Sequence, residues 1–282
     1  MQERRPTLPD GFLDSICFRA NKRPRRAPKI VTRASPAIRT SVSRIGSERL
    51  NSPTSPSEKI ALVKRLAPFS DVSPASCSTI ISAAYERRLW RRQTIFSEGD
   101  PAEQVLMLLS GCVKITLLGL SGREVILRLI GTGELVGDIQ FSANCKHFST
   151  AKAVQSSVAL VWDVTAFETL LDRFPTFRRN VVHGLEDRLR ETEQRFREVS
   201  TENVELRVSS ELIRLSNRFG CSENGHEEIH LTRGEMAQLT GTTQSTISRV
   251  LSRWQRLGIV SIHRDAVRVC NSAALAQLTL NE

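Results

Sequence analysis

At 282 residues the chain is long enough for two ordinary domains, and a quarter of its residues are charged. The net charge of +10 is uneven: residues 1–57 carry twelve Lys or Arg against four Asp or Glu, which leaves +2 for everything that follows. No continuous apolar run is long enough for a signal peptide or a membrane span, so the composition points to a cytoplasmic chain without a membrane partner.

Residues 1–57 are rich in Arg, Pro and Ser with no sustained period, and are predicted to be disordered. As function they suit a dispensable leader or a non-specific DNA-contacting arm; an organelle presequence, or a nuclear signal in Lys22–Arg26, is a further reading. Beyond Glu58, IALVKRLAPF and STIISAAYERRLW read as short amphipathic helices. From Arg91 to about Val164 short alternating segments are punctuated by glycines at 99, 111, 119, 122, 131, 133 and 137, the pattern of an antiparallel roll closed by tight turns. Phe167–Phe174 reads as a helix that Pro175 interrupts.

A long helix follows. Val182, Leu185, Leu189, Thr192, Phe196, Val199, Asn203 and Leu206 alternate spacings of three and four among charged residues, a heptad seam along which two copies can pair in parallel. The competing use of that seam is packing against the chain's own barrel.

Leu231–Val269 has the layout of a winged helix-turn-helix. Thr232 and Glu235 have capping-box spacing at the start of one helix, Gly241 breaks it, and Thr242 or Thr243 caps a second. This second helix buries Ile247, Val250, Leu251 and Trp254 and turns Gln244, Ser245, Ser248, Arg249 and Arg253 outward. Small or forked polar groups at the start of such a helix fit a major groove, with Gln and Arg able to pair bidentately with adenine and guanine edges. Gly258 ends the helix, and a hairpin over 259–269 carries His263 and Arg264 at its tip. Arg249 either reads guanine, is held by Glu235 or contacts only phosphate.

The order of these parts resembles the Crp/Fnr family of bacterial transcription regulators over residues 58–282. The resemblance is carried by IFSEGDPAEQVLMLLSGCVKI (95–115), GTGELVGDI (131–139) and GTTQSTISRVLSRWQRLGIV (241–260). It implies an α+β architecture: an antiparallel β-roll of jelly-roll, cyclic-nucleotide-binding-like type over 58–175, a dimerisation helix over 176–206 and a winged helix-turn-helix over 207–282. It also implies a homodimer that binds a palindromic stretch of double-stranded DNA and contacts RNA polymerase. Cyclic-nucleotide members hold the ribose with a Gly-Glu pair and clamp the cyclic phosphate with Arg followed by Ser or Thr. Gly137 and Asp138 resemble the first pair, whereas His147 and Phe148 stand where the clamp would be. This departure from the clamp points to an effector that is not a cyclic nucleotide, cyclic AMP included, or to none.

In the oxygen-sensing branch, cysteine thiolates clustered in the amino-terminal region hold an iron-sulfur cluster, but Cys17, Cys77, Cys112, Cys145, Cys221 and Cys270 are each isolated here. Cys145, beside Lys146 and His147, is the first candidate for a single redox-responsive thiol and Cys112 the second. A cyclic-nucleotide-responsive regulator of the same fold and a non-DNA-binding interaction module are the alternative functions. No catalytic constellation and no metal-ligand spacing emerges from the five dispersed histidines, at 147, 183, 226, 230 and 263, so the sequence does not read as an enzyme.

Overall fold

The structure, a computed structural model, describes residues 56–137, 145–219, 221–223 and 226–278. Nearly all of the segment expected to be disordered lies outside the described residues, as do Cys17 and Asp138.

Helix α1 (Pro56–Val63) and a short 3-10 turn (Ala67–Phe69) lead to α2 (Pro74–Ser82), whose amino-terminal cap is Ser73, accepting from the Ser76 amide at 3.2 Å. The helix expected over STIISAAYERRLW stops at Ser82, and Tyr85–Leu89 is instead strand β1. This strand lies at a sheet edge, where charged Glu86, Arg87 and Arg88 blunt further pairing and also mask the alternation that marks a strand. The roll continues as β2 (Thr94–Phe96), β3 (Gln104–Ser110), β4 (Val113–Leu118), β5 (Glu124–Ile130), β6 (Leu135–Val136), β7 (Thr150–Ala153) and β8 (Ser157–Asp163).

Two antiparallel four-stranded sheets result, ordered β1-β8-β3-β6 and β2-β7-β4-β5. Leu106, Leu108, Val113, Ile115, Ile130 and Val161 fill the space between them. Gly111 turns β3 into β4 at φ +97°, and a Cβ there would lie 2.1 Å from Ser157 Oγ, so no other residue fits that corner. The outer face of the first sheet is covered by Val63, Phe69, Ile80, Phe167 and Phe177 from the helices, and buried Trp162 donates its indole N–H to the Ile80 carbonyl at 2.9 Å.

Helix α3 (Val164–Arg173) is followed at once by α4 (Pro175–Thr201). Pro175 begins a helix rather than merely interrupting one, since a first-turn position needs no amide donor. At 27 residues α4 is about 40 Å long. The helix expected to run to 206 ends at Thr201, and α5 (Val204–Phe219) starts after a two-residue break. Asn203, placed in the seam by the heptad, instead caps α5 by accepting from the Leu206 amide at 3.0 Å.

The remainder comprises β9 (Cys221–Glu223), β10 (His226–Ile229), α6 (Arg233–Thr240), α7 (Gln244–Arg256), β11 (Val260–Ile262), β12 (Val267–Val269) and α8 (Ser272–Gln277). Its strands form one antiparallel sheet ordered β11-β12-β10-β9. Among the described residues no helix is long and apolar enough to cross a membrane.

Candidate nucleic-acid interface

The two helices of the turn motif are set by local chemistry. Thr232 caps α6 with both halves of a capping box: its hydroxyl accepts from the Glu235 amide at 3.2 Å, and the Glu235 carboxylate accepts from the Thr232 amide at 3.1 Å. Gly241 ends α6 at φ +66°, the left-handed cap that turns the chain into α7. The cap of α7 is Thr243, whose Oγ1 accepts from the Thr246 amide at 3.2 Å. Ile247, Val250, Leu251 and Trp254 are buried behind the helix, so register, not chance, turns Gln244, Ser245 and Arg249 to solvent, with Ser248 half-buried beside them.

Arg249 is not held by Glu235, which is taken by Thr232 and by Lys114 Nζ at 3.3 Å. Burial works to raise the Glu235 carboxyl, but the Thr232 hydrogen bonds and the Lys114 ammonium outweigh it and keep the pKa below the usual range. Among the described residues the Arg249 guanidinium donates to Thr246 Oγ1 of its own helix at 3.4 Å, and stays exposed. Arg253, expected to face DNA, is paired here with Glu205 at the start of α5. Thr242 is half-buried, and its carbonyl accepts from Arg123 in the β4–β5 turn. His263 and Arg264 are exposed at the wing tip. The structure thus groups Thr243, Gln244, Ser245, Ser248 and Arg249 on one face and leaves the two wing residues on a separate projection.

The reading domain is seated on the barrel. Cys112, Ile126 and Leu129 of the roll belong to the same apolar cluster as Val208, Met236, Ile247 and Trp254. Around that joint runs a network of charges. Glu211 of α5 is 2% exposed and binds Arg195 of α4 at 2.7 Å and Arg214 at 2.7 Å. Arg214 binds Glu198 of α4 at 2.7 Å, and Arg195 also donates to the Leu127 carbonyl of β5 at 3.2 Å. Further along α5, Arg218 pairs with Glu134 of the barrel and lies 3.5 Å from Glu191 of α4. Barrel, long helix and reading domain are therefore joined by one ionic web whose members lie far apart in sequence. This web, Arg123 and Glu205 escaped sequence reasoning for that reason.

Along α4, Val182, Leu189, Phe196 and Val199 are 46%, 60%, 74% and 51% exposed, Thr192 is exposed and Leu185 half-buried. The barrel instead buries Phe177 and Val181, so the seam's competing use, packing on its own barrel, does not occur. Inside the roll His147 is buried and stacks on Phe96 with centroids 3.5 Å apart, while Phe148 is 68% exposed and does not enter the barrel beside it. Gly137 borders the same place: Arg188 of α4 donates to its carbonyl at 3.2 Å, a contact across 51 residues that no local pattern announces.

Residues 86–174 match the cyclic nucleotide-binding domain family and residues 206–278 the Crp-like helix-turn-helix domain, in that order on one chain. The chain belongs to the Crp/Fnr family of bacterial transcription regulators. It is 26% identical over 218 residues to the CRP-like cAMP-activated global transcriptional regulator of Mycobacterium tuberculosis, covering 77% of this chain and 97% of that protein. The fumarate and nitrate reduction regulatory protein of Escherichia coli K12 is 27% identical over 195 residues, 68% of this chain and 78% of the relative. Among solved structures, the c-di-GMP-responsive global regulator CLP of Xanthomonas campestris shares the fold at a TM-score of 0.62 and 22% identity, covering 71% of this chain and all of that one.

Neither cofactor that the Crp/Fnr family suggests fits the described residues. A cyclic phosphate finds no guanidinium or hydroxyl at His147 and Phe148, the first flat against Phe96 and the second turned outward. An iron-sulfur cluster finds no thiolate set: Cys77, Cys112, Cys145 and Cys270 lie on separate elements, and no group of three metal-ligating side chains occurs among the described residues. Burial pushes the Cys112 thiol up to about 12, which disfavours the thiolate. Cys145 is partly exposed.

Proposed function

We propose that this regulator binds a palindromic duplex as a parallel homodimer joined along α4, with one α7 in the major groove of each half-site and with an effector other than a cyclic nucleotide. The observation that carries this reading is the exposed face of α7, where Gln244, Ser245 and Arg249 sit on an apolar back buried in the domain. Arg249 is the strongest base reader, because a fork donating to a guanine edge discriminates by about 1–3 kcal/mol, more than a hydroxyl that rotates between donor and acceptor. Contact with RNA polymerase belongs to the same proposal, as does a cytoplasmic location.

Selection of sites from a random duplex pool tests it. The parent is expected to enrich a palindrome, and Arg249→Ala to lose preference at one symmetric pair of positions. Equal weakening on all sequences, with a lower salt slope, would assign Arg249 to phosphate instead. Failure of the parent to enrich any palindrome would refute the reading.

The effector is tested separately. Cyclic AMP and cyclic GMP are expected to bind no better than about millimolar in a calorimetric titration, since each missing charge-assisted hydrogen bond costs about 1.5–3 kcal/mol. A micromolar dissociation constant for either would show that another cation, such as Arg188 at Gly137, serves as the clamp.

A further inference from the structure

We infer that Glu205 sets the sequence selectivity of the reading helix, by tying Arg253 to α5 and so keeping it from indiscriminate contact with phosphate. The inference rests on the DNA reading proposed above and concerns what restrains the cations of that helix. A cleft of about 900 Å³ lies between the start of α5 and α7. Asn203, Val204 and Glu205 line one wall, and Arg249, Arg253 and Arg256 line the other. Glu205 is the one carboxylate among its lining residues, against three guanidiniums. Arg249 and Arg253 stand about one helical turn apart, so a free Arg253 would offer a second fork beside the base reader.

The fold alone does not account for the pair. The side chains of Glu205 and Arg253 are 40% and 47% exposed, and an ion pair so open to water contributes little to stability. Nor does α5 need this carboxylate as a cap, because Asn203 already accepts from the Leu206 amide. A carboxylate anywhere in the first turn would serve the helix dipole; this one is turned across the cleft to α7. What it changes is the charge that α7 presents. Neither Arg249 nor Arg256 forms a salt bridge with a described residue, so of the three guanidiniums Arg253 is the neutralised one. A phosphate that takes Arg253 must first break the pair and then lie near an unpaired carboxylate. Specificity is a difference of affinities, and an element that disfavours the wrong partners raises it. Non-specific complexes are held almost wholly by phosphate contacts and can shift along the duplex to meet a free cation. A base-reading complex fixes α7 in one register, so freeing Arg253 gains it less.

The test is a double-mutant cycle of Glu205→Gln and Arg253→Met, measured on the selected palindrome and on a random duplex of equal length. Glutamine keeps the size of the Glu205 side chain, and methionine keeps an unbranched stem without the charge. Glu205→Gln is expected to bind the random duplex about tenfold more tightly at about 0.1 M salt and the palindrome no more than about threefold more tightly, so that preference for the palindrome falls. Its slope of log affinity against log salt on the random duplex should steepen by about 0.9 per protomer, about 1.8 for a dimer. In the Arg253→Met background the same substitution is expected to change either affinity by less than about twofold. Unchanged affinity of Glu205→Gln for the random duplex would overturn the inference, as would equal tightening on both duplexes, which leaves selectivity untouched. A full gain that persists with Arg253→Met would also overturn it, reducing Glu205 to a bare charge that repels DNA. Weaker binding to both duplexes together with a lowered thermal midpoint would assign the pair to the fold and overturn it too. If the parent prefers no palindrome, the DNA reading itself fails and the inference falls with it.

Discussion

Phe196→Asp is expected to give a monomer at micromolar concentration and to weaken palindrome binding by about a hundredfold or more. Phe196 is 74% exposed in the single chain and lies mid-way along a stripe with Val182, Leu189 and Val199. Each apolar side chain of this size gains about 1.5–3 kcal/mol when covered, and two copies of the stripe cover each other. An aspartate there would face its symmetry mate in an apolar seam, where a carboxylate without a partner is costly. The loss of DNA affinity follows from geometry, since linking two half-site readers raises overall affinity by about 10²–10⁴. Sedimentation showing an undiminished dimer would remove α4 as the interface.

The second large effect concerns the ionic web. Glu211→Ala is expected to destabilise the protein by about 1.5–3 kcal/mol in urea denaturation, because Arg195 and Arg214 would lose their shared buried carboxylate while keeping Glu191 and Glu198. Glu211→Gln, which keeps shape and acceptor, should cost less. An effect under about 1 kcal/mol would show that water replaces the carboxylate and that the joint is held by its apolar contacts alone. Glu198 gives the same web a dependence on pH. Burial works to raise its carboxyl, but hydrogen bonds from Arg214 and Gln194 outweigh this and lower it below 4.5. A depressed carboxylate stabilises fully above its unfolded value, so this contribution persists at neutral pH and is lost as pH falls from about 4.5 through the folded value.

What could be read from the sequence was whatever repeats or is capped locally. The helix-turn-helix was legible because Thr232, Glu235 and Gly241 mark boundaries by their own chemistry, and α4 because its apolar residues recur at heptad spacing. Strand β1 was not, since a charged edge strand lacks the alternation of a half-buried one. The break at Glu202–Asn203 was obscured by a heptad that continues across it, although Asn203 three residues before Leu206 has the spacing of a cap. The sequence around His147 and Phe148 carries no sign that Phe148 turns outward or that Arg188 arrives from a helix 51 residues away. Pairings such as Arg218 with Glu134 depend on three elements meeting and leave no trace in any short window.

Ile126 and Leu129 of β5 are shared between two structures that the sequence separates by more than seventy residues, the wall of the barrel and the interior of a reading domain. The two units therefore do not behave as beads on a string, each with its own melting equilibrium. The reading domain borrows part of its interior from the barrel, so its native basin exists in full only while the two remain together. A molecule that bends or stiffens β5 would alter the free energy of the DNA-reading fold directly, through packing that the two halves have in common. Coupling of this kind needs no relay of moving residues, because the barrel's wall is already part of the reader's interior.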